Sequence, residues 1–193
     1  MKQEFMSKII PLFNTEYDLA RELQKINSKA QTQAYQKYAP KFLGICMRYI
    51  KNEMEAEDVM IEAFMKIFDK VKQFNFQGSF EGWMRRLVVN EALMAIRNKK
   101  VSEVDLDKAE YETSNLQLDS SIEVNDLLKM INNLPTGYRT VFNLYAIEGY
   151  SHAEIAKMQN ITEGTSKSQL SRARAFLQEE LAKYEKENQQ NTK

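Results

Sequence analysis

What this sequence lacks narrows it first. One cysteine in 193 residues, Cys46, excludes an intramolecular disulfide framework. One histidine, His152, leaves no histidine-rich metal set and no imidazole relay, and it reads as a surface residue at the start of a helix. Six glycines and three prolines are too few for the many turns of an all-β chain. No run of about 18 apolar residues is present, so no membrane span is expected. The opening "MKQEFMSKIIPLF" is too short and too broken an apolar stretch for a signal peptide. No phosphate-binding glycine loop, paired metal-ligand spacing or Ser/His/Asp set occurs. The expectation is a cytoplasmic protein that is not an enzyme and takes no metal or cofactor.

Net charge is missing too, with 27 basic residues against 27 acidic ones. That balance conceals a segregation. Residues 101–126, "VSEVDLDKAEYETSNLQLDSSIEVND", hold eight acids and one lysine, leaving 26 basic against 19 acidic residues elsewhere. A basic body with an acidic strap is compatible with nucleic acid on the body. A solvated linker between neutral units explains the composition equally well.

What is present is helical periodicity, in a chain that is 43% apolar. "DLARELQKI" places Leu19, Leu23 and Ile26 on one stripe. "TQAYQKYAPKFLGICMRYIKN" continues with Tyr35, Tyr38, Phe42, Ile45, Met47, Tyr49 and Ile50, and Pro40 either opens a helix there or breaks one. "EAEDVMIEAFMKIFDKVKQF" is amphipathic. Met60, Ile61, Phe64, Met65, Phe68 and Val71 form its apolar face, and Glu55, Asp58, Glu62, Lys66 and Asp69 lie opposite, with a Glu62–Lys66 pair at i, i+4. "NFQGS" interrupts it, and "SFEGWMRRLVVNEALMAIRNKK" resumes a helix with Ser79 as N-cap. Residues 101–124 read as an acidic linker, 125–184 as a second helical unit, 1–16 as an extension and 185–193 as a frayed polar tail. The fold expected is all-α, with a first domain over 17–100.

Within the second unit, "GYSHAEIAKMQNITEGTSKSQLSRAR" has the grammar of a helix-turn-helix. Ser151 with Glu154 makes a capping box, Asn160 tolerates the left-handed turn, and Thr162 caps the next helix. Ile155, Ala156 and Met158 point inward, and Ile161 pegs the turn. At 100° per residue, Ser166, Leu170, Ala173 and Leu177 cluster inward. Thr165, Ser168, Ser171, Arg172 and Ala175 cluster outward, flanked by Lys167 and Gln169, with Arg174 at one edge. That face holds no acid and no large apolar group. It suits the major groove, where arginine reads guanine and hydroxyls reach bases or phosphates. A solvated amphipathic helix is the competing reading.

Two blocks together resemble a known family. "AEDVMIEAFMKIFDKVKQFNFQGSFEGWMRRLVVNEALMAIRNKK" is similar to region 2 of bacterial extracytoplasmic-function sigma factors, and "INNLPTGYRTVFNLYAIEGYSHAEIAKMQNITEGTSKSQLSRARAFL" to their region 4. The resemblance covers about residues 18–100 and 122–183. It implies a transcription initiation factor that binds core RNA polymerase, brings it to promoters and helps melt DNA. Asp58, Glu62, Phe64, Met65, Lys66 and Asp69, with Phe64 and Met65 partly exposed, would dock on the polymerase β′ clamp helices. The β flap would hold region 4. Phe74, Asn75, Phe76, Gln77, Gly78 and Ser79 would form a loop for a flipped −10 base. Trp83, Arg86, Asn90 and Arg97 would follow on one helix face, with Phe80 in the core and Trp83 open between core and contact. In region 4 the resemblance assigns −35 contacts to Lys167, Ser168, Ser171 and Arg172, with Thr165, Gln169 and Arg174 flanking and Arg139 on the backbone. The linker would thread through polymerase as a nucleic-acid mimic, or serve only as a tether. An anti-sigma partner belongs to the same expectation.

The chain departs from the family at four places. Ser166 stands where valine is usual, which loosens the helix contact or bonds the serine to its i−4 carbonyl. Asn160 replaces a turn glycine, Ser171 is small, and Glu81 puts an acid beside the single-strand site. The alternatives are a stand-alone helix-turn-helix regulator, which would dimerise and bind duplex without polymerase, and a helical adaptor that binds no DNA.

Overall fold

A computed structural model describes residues 12–103 and 122–191, and among these the only regular structure is helical. The chain divides into two compact units, residues 1–47 with 53–109, and 48–52 with 110–193. The first is built from α1 (Glu16–Gln24), α2 (Ser28–Tyr49), α3 (Glu53–Lys70), a 3-10 turn at Val71–Gln73 and α4 (Phe80–Glu103).

Helix α1 starts where the Thr15 hydroxyl accepts the Asp18 amide at 3.0 Å, and it buries Leu19 and Leu23. Ile26, expected on the same stripe, is 69% exposed. The reason is local. Lys25 closes the helix onto the Glu22 and Leu23 carbonyls, and Ile26 then enters the left-handed region at φ 59° with its side chain outward. Pro40 neither opens nor breaks a helix but lies inside α2. Tyr38 and Phe42, buried and stacked at 5.6 Å, anchor the helix on either side of the missing N–H.

Helix α3 packs on α4, and its buried residues are Ala56, Val59, Met60, Ala63, Phe64 and Ile67. The inward face is rotated from the expected one, and Ile61 and Met65 lie at 47% and 66% exposure. Ala56 and Ala63 are fully buried on the inward face, and a stripe weighted by large side chains overlooks them. Lys66 pairs not with Glu62 but with Glu91 of α4, whose side chain is almost fully buried.

The second unit holds α5 (Ile122–Asn133), α6 (Thr136–Phe142), a π turn at Asn143–Ile147, α7 (His152–Gln159) and α8 (Glu163–Asn191). The Ser151–Glu154 capping box is present. Asn160 sits at φ 53°, ψ 48°, Ile161 donates its amide to Ala156 at 3.0 Å, and the Thr162 hydroxyl accepts the Thr165 amide at 3.0 Å. Ser166, Leu170 and Ala173 are buried and Leu177 is half-buried, so the wheel of α8 is oriented as its spacing implies.

Helix α4 runs three residues into the stretch read as linker, and α8 continues to Asn191 through most of the stretch read as a frayed tail. The acidic strap over 104–121 and the first 11 residues lie outside the described residues. Of the N-terminal extension, Leu12 and Phe13 donate their amides to Gln33 Oε1 at 2.9 and 3.2 Å, and Gln33 Nε2 donates to the Phe13 carbonyl at 3.0 Å.

Candidate nucleic-acid and protein interfaces

The loop before α4 is held from below. Gln24 Nε2 donates to the Val71 and Phe74 carbonyls at 3.0 and 2.9 Å. The Tyr17 hydroxyl donates to the Gly78 carbonyl at 3.3 Å. Asn75 Oδ1 accepts the Gln77 amide at 3.1 Å, a side-chain turn that lets Phe76 adopt φ 61° and Gly78 φ 79°. Ser79 caps α4 by accepting the Gly82 amide at 3.1 Å.

The loop's rings are mostly committed. Phe74 is buried among Phe76, Phe80 and Trp83, with centroids 5.0–5.7 Å away. Phe74, expected to face a flipped base, is therefore core. It has no free face, because the 3-10 turn aims it inward. Phe76 is half-buried, with Tyr17 edge-on at 5.9 Å and the Arg21 guanidinium 5.7 Å from its centroid. Phe80 is fully buried, and Trp83 is half-buried, stacked on Phe80 at 5.8 Å. What remains outward is polar: Asn75, Gln77, Ser79, Arg86, Asn90 and Arg97 are exposed. Glu81, the acid beside Trp83, is matched by Lys41 at 3.0 Å, so it adds little bare negative charge there.

On α3 the exposed side carries Asp58, Glu62, Met65 and Asp69. Met54, Ile61 and Met65 make an exposed apolar stripe at i, i+7, i+11 beside those acids. The sequence reading put Ile61 on the buried apolar face and left Met54 out, since a wheel scored for burial assigns apolar residues to the core. Phe64 is not partly exposed. It is buried against Tyr35 and Phe42 of α2 and Phe68 of its own helix, at 4.9–5.8 Å.

On α8 the outward side chains are polar and accessible. Lys167, Ser168, Ser171, Arg172 and Arg174 are exposed, and Thr165 and Gln169 are half-buried. The Ser168 hydroxyl donates to the Thr165 carbonyl at 2.9 Å, and the Thr165 hydroxyl pairs with that of Thr162 at 2.9 Å. The Ser168 hydroxyl, its proton committed, therefore offers acceptor capacity outward. Arg172 Nη1 donates to the Tyr138 hydroxyl of α6 at 3.2 Å, which holds the guanidinium while leaving it exposed. Tyr138 escaped the sequence reading because it is 34 residues away from Arg172.

Arg139 is a correction. Its guanidinium does not face a DNA backbone but is buried, with Nη1 donating to the Asn132 carbonyl at 3.0 Å. Burial lowers its pKa to about 10, so it stays charged at neutral pH and braces the α5–α6 turn. Ser166 also departs from expectation. Its hydroxyl meets His152 Nδ1 at 2.9 Å, not a carbonyl of its own helix, and His152 is half-buried.

No helix among the described residues is long and apolar enough to cross a membrane. The family model for Sigma-70 region 2 matches residues 34–101, and that for Sigma-70 region 4 matches residues 125–177. The chain is 31% identical over 159 residues to the ECF RNA polymerase sigma factor SigW of Bacillus subtilis (strain 168), covering 75% of this chain and 84% of that protein. It is 25% identical over 181 residues to the ECF RNA polymerase sigma-E factor of Haemophilus influenzae, covering 86% and 95%. Among solved structures it is similar to the sigma factor RpoE of Bartonella quintana in complex with the anti-sigma factor NepR. The TM-score is 0.55 at 25% identity, over 78% of this chain and 96% of that one. With two sigma region models matched in order and a relative of this identity spanned over most of its length, the chain belongs to the ECF RNA polymerase sigma factors.

Proposed function

We propose that the chain binds core RNA polymerase through the exposed side of α3, carries it to promoters and reads them with two separate surfaces. Asp58, Glu62, Met65 and Asp69, with Met54 and Ile61, dock on the clamp of the polymerase. An apolar stripe bordered by acids is the composition of a protein interface, not of a nucleic-acid one. Lys66, tied to Glu91, shapes that face more than it contacts a partner.

Arg172, Lys167, Ser168 and Ser171 read the −35 element in the major groove, with Thr165, Gln169 and Arg174 beside them. Asn75, Gln77, Ser79, Trp83, Arg86, Asn90 and Arg97 hold the −10 element and its separated strand. Arginines neutralise phosphates there, and the open side of Trp83 stacks on a base. The β flap and an anti-sigma factor are the further protein partners, and the chain acts in the cytoplasm, where polymerase is. One observation carries this reading. The outward face of α8 is free of acid from 165 to 175, and its arginine is held ready by Tyr138.

The test is reconstitution of the full chain with core RNA polymerase on genomic DNA, with transcript starts mapped. Discrete starts sharing two spaced motifs are expected. A stable dimer that binds palindromic duplex without polymerase, and no transcript with it, would establish the stand-alone regulator instead.

A further inference from the structure

The second unit contains a polar contact that the reading above does not use. Ser166 lies on the inward side of α8, fully buried, in the same turn as Thr165, Lys167 and Ser168. His152 Nδ1 is 2.9 Å from its hydroxyl, which donates to the nitrogen or accepts from it according to the ring's tautomer. His152 is the first residue of α7, and the Ser151–Glu154 capping box fixes the start of that helix. The imidazole is fixed on its face as well. It stacks on Tyr145 of the π turn, with centroids 4.5 Å apart and 21° between planes. The Arg174 guanidinium lies 5.8 Å from the centre of that same tyrosine ring. Two points of α8, eight residues and about 12 Å apart, are thus tied through His152 and Tyr145 to the elements before it.

We infer that the His152–Ser166 hydrogen bond is a positioning strut that sets the angle of the first turn of α8, and through it the selectivity of −35 reading. The inference rests on α8 being the −35 helix. Base edges are contacted by the N-terminal residues of a recognition helix, so a small tilt of this turn moves Lys167 and Ser168 relative to the bases. An apolar contact at position 166 would hold the helices together without a preferred direction. A hydrogen bond to a stacked imidazole defines both distance and angle. Ser166 is fully buried and the His152 imidazole is engaged by it and by Tyr145, so in this reading both act through their neighbours.

The experiment uses holoenzyme made from the full chain, on a promoter found by start mapping. The readout is the ratio of transcript from that promoter to transcript from the same promoter with one −35 base pair changed. A parallel ratio is taken for a −10 change. His152→Phe keeps a ring on Tyr145 but removes the bond, and Ser166→Ala removes it from the other side with little change in volume. Each is expected to lower the −35 ratio about three- to tenfold, as loss of one hydrogen bond allows. The double variant loses no more than either single one, because one interaction has been removed twice. His152→Asn places a carboxamide near the Nδ1 position and holds the ratio within about twofold of wild type. The −10 ratio does not move in any of them.

Additive losses, an unchanged −35 ratio in both single variants, a His152→Asn ratio as low as that of His152→Phe, or a −10 ratio falling in step would each overturn the strut. Arg172→Ala separates the two levels. If it leaves both the −35 ratio and binding to promoter duplex unchanged, the assignment of α8 fails. If it lowers the ratio while the His152 and Ser166 variants are silent, only the strut fails.

Discussion

Around residues 74–97 of the first unit the candidate DNA surface is aromatic, yet Phe74 and Phe80 are buried and Phe76 is packed by Tyr17 and Arg21. Along residues 165–174 of α8 there is no ring at all, and Lys167, Ser168, Ser171, Arg172 and Arg174 stand free of the core. The difference follows from what each surface would hold. A strand separated from its partner needs a rigid platform and pockets, and rings packed in layers supply rigidity at the expense of free faces. A duplex groove needs protruding donors and acceptors on a straight rod, which one helix face provides. In the first unit, then, the aromatic residues build the scaffold and the polar ones between them are left for contact. In the second, scaffold and contact residues separate cleanly by helical phase.

The largest effect that sharpens this comparison is Phe74→Ala. Deleting a buried ring is expected to cost about 3–5 kcal/mol of stability. Chemical denaturation followed by the fluorescence of Trp83, the sole tryptophan, reports it directly, since that ring lies 5.7 Å from Phe74. The exposed Gln77, changed to alanine, is expected to leave that curve within about 0.5 kcal/mol and to alter only the −10 preference of holoenzyme. A small stability loss for Phe74→Ala would return the ring to the contact surface.

A pair of arginines makes the next test. Arg139→Leu leaves buried carbonyls without their donor and is expected to lower stability by about 1–3 kcal/mol, with −35 selectivity unchanged in the surviving fraction. Arg172→Ala is expected to do the reverse. It leaves stability unchanged and lowers binding to the preferred −35 sequence by about 1–3 kcal/mol, with core polymerase binding intact. An equal loss on all sequences would make Arg172 a phosphate contact.

The smallest effect is a pH dependence in the second unit. Asp126 is held below its ordinary 3.8, chiefly by the Tyr184 hydroxyl that donates to it at 2.7 Å and also by Lys129. The folded state therefore binds this proton less readily than the unfolded one. The tie between α5 and α8 contributes fully above the unfolded value and is lost as pH falls through the lowered folded value. Thermal melts of Tyr184→Phe and wild type are expected to differ by a constant small amount near neutral pH. They should converge once the carboxylate is protonated. A difference that persists in acid would show that the tyrosine acts through packing alone.

Much of this was legible because it is local. The capping box at Ser151, the left-handed Asn160 and the cap at Thr162 depend on residues within three or four positions, and α8 keeps the phase its spacing implies. The misjudged residues take their environment from a helix end, from the packing phase of a helix or from partners not adjacent in sequence. Ile26 is turned outward by the left-handed backbone at the end of α1, and Arg139 is buried with its guanidinium on the Asn132 carbonyl. Ile61 and Met65, expected on the apolar face, are exposed, while the small Ala56 and Ala63, which carry little hydrophobic weight, are fully buried in their place. Tyr138 with Arg172 and His152 with Ser166 meet across 34 and 14 residues, beyond any helical period.

The sequence by itself determined the all-helical class, the caps, the phase of α8 and the family, since each rests on short-range periodicity or on ordered motifs. Only the tertiary structure decided which rings are scaffold, which arginine is exposed and what the lone histidine contacts. Burial and hydrogen-bond partnership at those sites are set by neighbours distant in sequence, brought close by packing that no local pattern encodes.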